Sequence, residues 1–140
     1  MTALSLDSIK PERRAIAQKI LDGFAAAGFA QNQQVAALAI AVCESNLDPK
    51  AHAGGSEDSW GLFQLNRRGG LGTGRTAEEL QDPDVNIGLI AEAAKKVAAF
   101  GSAASLDEAV SVFVRHIERP ADAAGEIARA MAIGQRILNS

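Results

Sequence analysis

Seven of the thirteen glycines in this 140-residue chain fall in one stretch, between Asn46 and Gly74. Glycine weakens a helix interior and supplies the positive φ values that tight turns need. That stretch is therefore excluded from being a long helix. Its flanks are rich in Ala and carry apolar residues at helical spacing. The pattern predicts a helical body with one irregular lobe inserted after the second helix.

The first helix is expected to begin near Pro11, a good first-turn residue, and to run to Ala27, with Ile16, Ile20, Phe24 and Ala27 on one face and Gly28 as its stop. Asn32 is expected to cap a second helix from Gln33 to about Ser45, whose buried stripe is Val35, Leu38, Ala39 and Val42. Within the Gly-rich stretch, only Ser59 to Asn66 reads as a strand or small hairpin. Asp82-Pro83-Asp84 opens a third long helix, with Ile87, Ile90, Ala91, Ala94 and Val97 inward. Ser105 and Glu108 form a capping box for a fourth helix carrying Val112 and Phe113. Pro120 starts a last helix with Ile127, Met131 and Leu138 inward.

Composition narrows the function. Hydrophobic residues make up 47% and charged residues 22%, which suits a packed domain rather than a disordered chain. The length fits one domain over residues 1–140. The net charge is −3 and no basic stripe stands out, so a nucleic-acid partner has no electrostatic footprint. One cysteine, Cys43, excludes an intramolecular disulfide and a multi-cysteine metal site. The longest apolar run, Val35 to Cys43, is too short to span a bilayer, so no membrane partner is expected. Met1 to Lys10 lacks the pattern of a signal peptide. Export is then expected through host lysis or carriage in an assembled particle.

Glu44 ends the apolar second helix. A carboxyl there is poorly solvated on its helix side and faces the negative end of the helix dipole; both effects raise its pKa. A general acid for glycoside cleavage needs that property. Position alone does not distinguish it from a glutamate that ends a helix in solvent. The neighbouring residues do. The run Glu44-Ser45-Asn46-Leu47-Asp48-Pro49-Lys50-Ala51, followed by Trp60-Gly61-Leu62-Phe63-Gln64-Leu65-Asn66, resembles the lysozyme superfamily, in which a helix ends in Glu-Ser and a Gly-Leu/Ile-x-Gln strand lines the cleft. Asp82-Pro83 with Asn86-Ile87 is similar to the Asp-Pro-x-x-Asn-Ile element of lytic transglycosylases. Phe113 to Pro120 resembles the Phe-x-x-x-x-Glu-x-Pro signature of lysozyme domains on phage tails.

The resemblance implies a mainly α, α+β lysozyme-like fold: a helical domain with a small β-hairpin lobe and a cleft between them. It also implies a peptidoglycan-cleaving glycosidase that needs no cofactor and no metal. Glu44 takes the place of the catalytic acid, and Ser45, Ser59, Gln64, Asn66, Phe113 and Glu118 the place of substrate contacts. Gln64 and Asn66 are expected to alternate onto one strand face, where their amides can serve sugar hydroxyls and N-acetyl groups. Trp60 and Phe63 are expected in the core.

Two departures leave the reaction open. Animal lysozymes carry a second catalytic Asp where this chain has Ser59; Asp58 should face the other way, and Glu57 should share the face of Ser59. Lytic transglycosylases pair their Glu with a Tyr, where this chain has Val112-Phe113-Val114 and no Tyr anywhere. Hydrolysis and transglycosylation therefore both stand, as does a non-catalytic tail, baseplate or wall-binding subunit. His52 and His116 have no second ligand at metal spacing. Cys43 reads as a small buried hydrophobe rather than a nucleophile. Gly69 to Gly74 lacks the Lys-Ser/Thr of a phosphate loop and reads as a cleft-edge loop. Peptidoglycan is the expected partner, together with phage tail or baseplate proteins; the rival localisation is a free endolysin.

Overall fold

The computed structural model describes residues 4–138; Met1 to Ala3, the start of the segment read as lacking a signal peptide, lie outside the described residues. Helices α1 (Arg14–Ala26) and α2 (Gln31–Ser45) precede three short strands, β1 (His52–Ala53), β2 (Ser59–Trp60) and β3 (Leu65–Asn66). Helices α3 (Ala77–Leu80), α4 (Pro83–Lys95), α5 (Ala98–Gly101), α6 (Leu106–Phe113) and α7 (Ala123–Leu138) follow. The strands form one antiparallel sheet in the order β1-β2-β3, with Ser59 opposite Asn66 and Trp60 opposite Leu65. The expected hairpin is present, and β1 joins its open edge, pairing His52 with Trp60. Among the described residues no helix is long and apolar enough to cross a membrane.

Helix α2 is the axis of the molecule. Every residue from Val35 to Ala41 is buried, so it has no single buried stripe. A helix apolar on all sides belongs in the centre of a bundle, and α1, α6 and α7 all pack on it. The alanines at 36, 37, 39 and 41 let those helices approach closely. Val42, expected inward, is half-buried where the helix emerges. The cap is Ala30 rather than Asn32, whose side-chain amide reaches across to the Ala104 carbonyl at 3.4 Å. At the other end Asn46 adopts left-handed φ 53° and its N–H returns to the Val42 carbonyl, which fixes Glu44 and Ser45 in the last turn.

Helix α1 follows a 3₁₀ turn at Pro11–Arg13. Its buried residues are Ala17, Ile20, Leu21 and Phe24, while Ile16 and Ala27 flank them half-buried. All five phenylalanines meet in one cluster: the Phe24 ring centre lies 5.6–6.4 Å from those of Phe29, Phe63, Phe100 and Phe113. Such ring pairs add about 0.5–1.5 kcal/mol each beyond area burial. Phe63 comes from the lobe, so the lobe and the helices share one core.

Asp82 caps α4 by accepting from the Asp84 N–H, with Pro83 in the first turn, as the sequence predicts. Ile87, Ile90, Ala91 and Ala94 are buried; Val97 lies beyond the helix and is half-buried. Gly88 is exposed on this helix, and a Cβ added there would meet nothing within 4 Å. Gly88→Ala is therefore expected to stabilise the protein by about 0.5–1 kcal/mol through helix propensity. A thermal melt checks this, and a lower melting temperature would contradict it.

Ser105 caps α6 by accepting from Glu108 N–H at 3.1 Å, but the Glu108 carboxylate accepts from Ala104 N–H, one residue short of a full capping box. After Phe113 the backbone widens into a π turn, Val114–Glu118, closed by Arg119 N–H to the Val114 carbonyl at 2.7 Å. Helix α7 starts at Ala123 rather than at Pro120, and its buried face is Glu126, Ala130, Gly134 and Ile137. Ile127, Met131 and Leu138 flank that face half-buried.

Candidate active site

The lobe is anchored by one buried side chain. Asn86, fully buried on α4, donates to the Trp60 carbonyl at 3.0 Å and the Leu80 carbonyl at 2.9 Å, and accepts from Phe63 N–H at 3.0 Å. Three backbone groups of the hairpin and of α3, two of them buried, thus depend on one amide. The Asp-Pro-x-x-Asn-Ile element therefore joins the two halves of the molecule.

A second network stiffens the lobe. Asp58 accepts from Trp60 Nε1 at 2.7 Å and Arg67 Nη1 at 2.9 Å, and its Oδ1 lies 3.0 Å from His52 Nε2. The Trp60 hydrogen bond first, then those of His52 and Arg67, holds the Asp58 carboxyl below its ordinary pKa. The His52 ring stacks on Trp60 with centres 3.8 Å apart. Trp60 is thus half-buried, packed against the edge of the core and tied into this surface network, whereas Phe63 is fully buried as expected.

A cleft of about 460 Å³ opens between the lobe and the helical body. Gln64 and Asn66 line it from the hairpin, Leu71 from the loop above, Ile90 from α4, and His116 and Glu118 from the π turn. Gly69, Gly70 and Leu71, the first half of the Gly69–Gly74 loop, line its edge. The expected alternation of Gln64 and Asn66 does not occur. Gln64 sits in the hairpin turn with left-handed φ 51° and donates its amide to the Ala51 and Gly61 carbonyls, each at 2.9 Å. The Asn66 side-chain Oδ1 accepts from Asp58 and Arg68 N–H. Both amides hold the turn that brings them to the cleft.

Three other candidate contacts point inward. Ser45 donates back to the Ala41 carbonyl at 3.0 Å and is nearly buried. Ser59 is buried in β2, and Phe113 belongs to the phenylalanine cluster. Each follows from the element it sits on: Ser45 is in the last turn of a central helix, Ser59 lies under the hairpin, and Phe113 is the last residue before the π turn. None of the three faces the cleft.

Glu44 lies at the end of α2, half-buried, under the influence of three further carboxyls. Burial, a side-chain hydrogen bond with Glu126, and the charges of Glu118, Glu126 and Glu57 push its carboxyl far above the usual range, to about 10. Glu118 is also pushed well up, first by burial and then by the charge of Glu126. Its Oε1 is shut from solvent and receives no hydrogen bond, although the residue borders the cleft. Glu44 itself is not among the cleft-lining residues; Glu118 is the link between it and the cavity. Glu57 and Asp58 both precede β2, so strand alternation does not apply to them; the charge of Glu57 acts on Glu44, while Asp58 is engaged with Trp60, His52 and Arg67. Burial, together with the charges of Glu126 and Glu44, pushes the Cys43 thiol up to about 11, so it is a poor nucleophile.

Glu126 escaped sequence reasoning. The signal was there: it stands four, eight and eleven residues before Ala130, Gly134 and Ile137, in the most buried row of α7. Among the described residues no group of three His, Cys, Asp or Glu is placed to hold a metal ion.

No curated protein and no solved structure matches the chain. A family model described as phage tail lysozyme matches residues 15–140, a span that includes Glu44, the lobe, the π turn and Glu126. With its helical body, small antiparallel sheet and intervening cleft, this chain belongs to the phage tail lysozyme family, whose members are peptidoglycan-degrading enzymes.

Proposed function

We propose that this chain cleaves the β-1,4 bond between N-acetylmuramic acid and N-acetylglucosamine in peptidoglycan, with Glu44 as general acid. The observation that carries the reading is the Glu44 carboxyl, kept protonated near neutral pH by burial and neighbouring carboxyls at the lobe-facing end of α2. Such a group can give a proton to the bridging oxygen as the C–O bond breaks. The cleft beside it offers amides, a hydroxyl-free apolar floor at Ile90, and the Glu118 carboxyl. A glycan strand lying along Gln64, Asn66 and Leu71 would meet both polar edges and an apolar face, the usual make-up of a sugar site. Glu57, whose charge acts on Glu44, is the carboxylate we assign to assist an attacking water.

A second reading is a lytic transglycosylase, in which the muramic 6-hydroxyl attacks and an anhydro end forms. It is supported by the engagement of Asp58 with three partners and the burial of Ser59, which leave no carboxylate at the position animal lysozymes use. We place the chain on a phage tail or phage-like particle, where tethering supplies a high local concentration at the wall.

Clearing of a purified cell-wall suspension, followed by mass spectrometry of the released fragments, tests these readings together. Reducing-end fragments are expected for hydrolysis; anhydro ends would select the transglycosylase. Binding without any release would show a wall-binding or structural subunit and remove the enzymatic proposal.

A further inference from the structure

The carboxyl cluster behind the cleft contains more than a general acid needs. Glu126 is 5% exposed, and no donor reaches its Oε2. Its side chain is nevertheless in hydrogen-bond contact with that of Glu44. Two ionised carboxylates are acceptors only, so such a contact exists only with a proton between them. Helix α7 packs directly on α2, and the row Ala130, Gly134 and Ile137 fixes which face of α7 turns inward. Gly134 is close enough to Leu106 that an added Cβ would stand 2.9 Å from Leu106 Cδ2. The helix therefore cannot roll Glu126 out to solvent without losing this packing.

We infer that Glu126 is a positioning residue for the acid: its buried carboxyl shares the Glu44 proton across the α2–α7 contact and returns Glu44 to its acid form between the two halves of the reaction. This rests on the reading of Glu44 as general acid. In the first half, the Glu44 proton passes to the bridging oxygen, the C1–O bond breaks, and its electron pair stays with the leaving sugar. Two carboxylates then face each other in a poorly solvated site. That repulsion makes Glu44 a stronger base, so it takes the proton released when water or the 6-hydroxyl attacks C1. The other groups facing Glu44 are Glu118 from the π turn and Glu57 from the lobe; Arg129 of α7 acts on the adjacent Cys43. Neither of the two glutamates is in hydrogen-bond contact with the acid.

Glu126→Gln removes a negative neighbour and supplies an N–H donor to Glu44, so both changes favour the ionised acid. The alkaline limb of the kcat/KM profile on cell walls should move to lower pH by about one unit or more, a loss of about tenfold on that limb. An unchanged limb in a folded Glu126→Gln protein would overturn the inference. The wild-type protein gives a test that does not depend on the variant folding. Carboxyl ¹³C NMR, assigned with Glu44→Gln, should show the Glu126 carboxyl signal moving as Glu44 loses its proton. A Glu126 signal that does not respond to the Glu44 titration would also overturn it. The two readings fail separately: an active Glu44→Gln protein removes the general acid itself, whereas an inactive Glu44→Gln beside an unshifted Glu126→Gln removes only the role of Glu126.

Discussion

Glu44→Gln is expected to reduce wall lysis by roughly 10²- to 10⁴-fold, the usual contribution of a general acid, while making the folded protein more stable at neutral pH. The first effect follows because an amide of the same size cannot give up a proton. The second follows from linkage. Burial and the carboxyls of Glu126, Glu118 and Glu57 raise the folded-state Glu44 from its ordinary 4.5 to about 10. Between those values the folded protein holds a proton that the unfolded chain releases. Stability is therefore highest below the unfolded value and falls as pH rises through this window, by at most about 1.4 kcal/mol per pH unit for one group. Glutamine does not titrate, and its N–H can donate to Glu126. The melting temperatures of the two proteins should thus be closest near pH 4 and diverge upward, with the variant higher. Melts at a series of pH values and a wall-clearing assay check the two halves separately. A variant that clears walls within about tenfold of wild type would take Glu44 out of the acid role, and one that melts lower than wild type at pH 7 would contradict the crowding of the carboxyls.

The glycine clustering and the helical spacing were sufficient to read the helical body, the hairpin and the end of α2, because each depends on local chemistry. The Asp82-Pro83 cap and the Asn46 region that stops α2 lie within a few residues of what they control. Errors arose where a distant partner decides. Val42 and Asn32 follow a stripe and a cap only on an isolated helix; α2 is wrapped on every side, and Asn32 is drawn to Ala104. Gln64 reads as a strand residue, but its left-handed backbone and its bonds to Ala51 and Gly61 place it in a turn. The π turn could not be foreseen from Val114 to Glu118, since it depends on one widened backbone bond from Arg119. The candidate site was legible at Glu44 and Glu118 through their motifs. Glu126 carries no motif; only the burial of its helix face brings it beside Glu44.

Gly61→Ala is expected to cost about 2–5 kcal/mol, combining overpacking of about 1–3 kcal/mol with the strain of a left-handed non-glycine backbone, about 1–2 kcal/mol. Gly61 has φ +84°, and a Cβ there would collide with the Leu80 carbonyl and with the Asn86 amide nitrogen. Neither neighbour is free to yield. Leu80 ends α3 against α4, and Asn86 is held by three hydrogen bonds to backbone, two of them buried. Moving Asn86 would leave the Trp60 and Leu80 carbonyls and the Phe63 N–H unpaired, at roughly 1–3 kcal/mol for a buried group left without a partner. The same motion would shift Gln64, whose amide is bonded to the Gly61 carbonyl, and with it one wall of the cleft. Activity per folded molecule should therefore fall alongside stability. Gly28→Ala is the matched control: φ is +94°, but nothing lies within 4 Å of the added Cβ. It should show the backbone strain alone, about 1 kcal/mol, with wall clearing intact. Denaturant titrations of both variants, with assays on the folded fraction, separate collision from strain. Equal losses of stability in the two would mean that the Asn86 staple does not hold the lobe against the helical body.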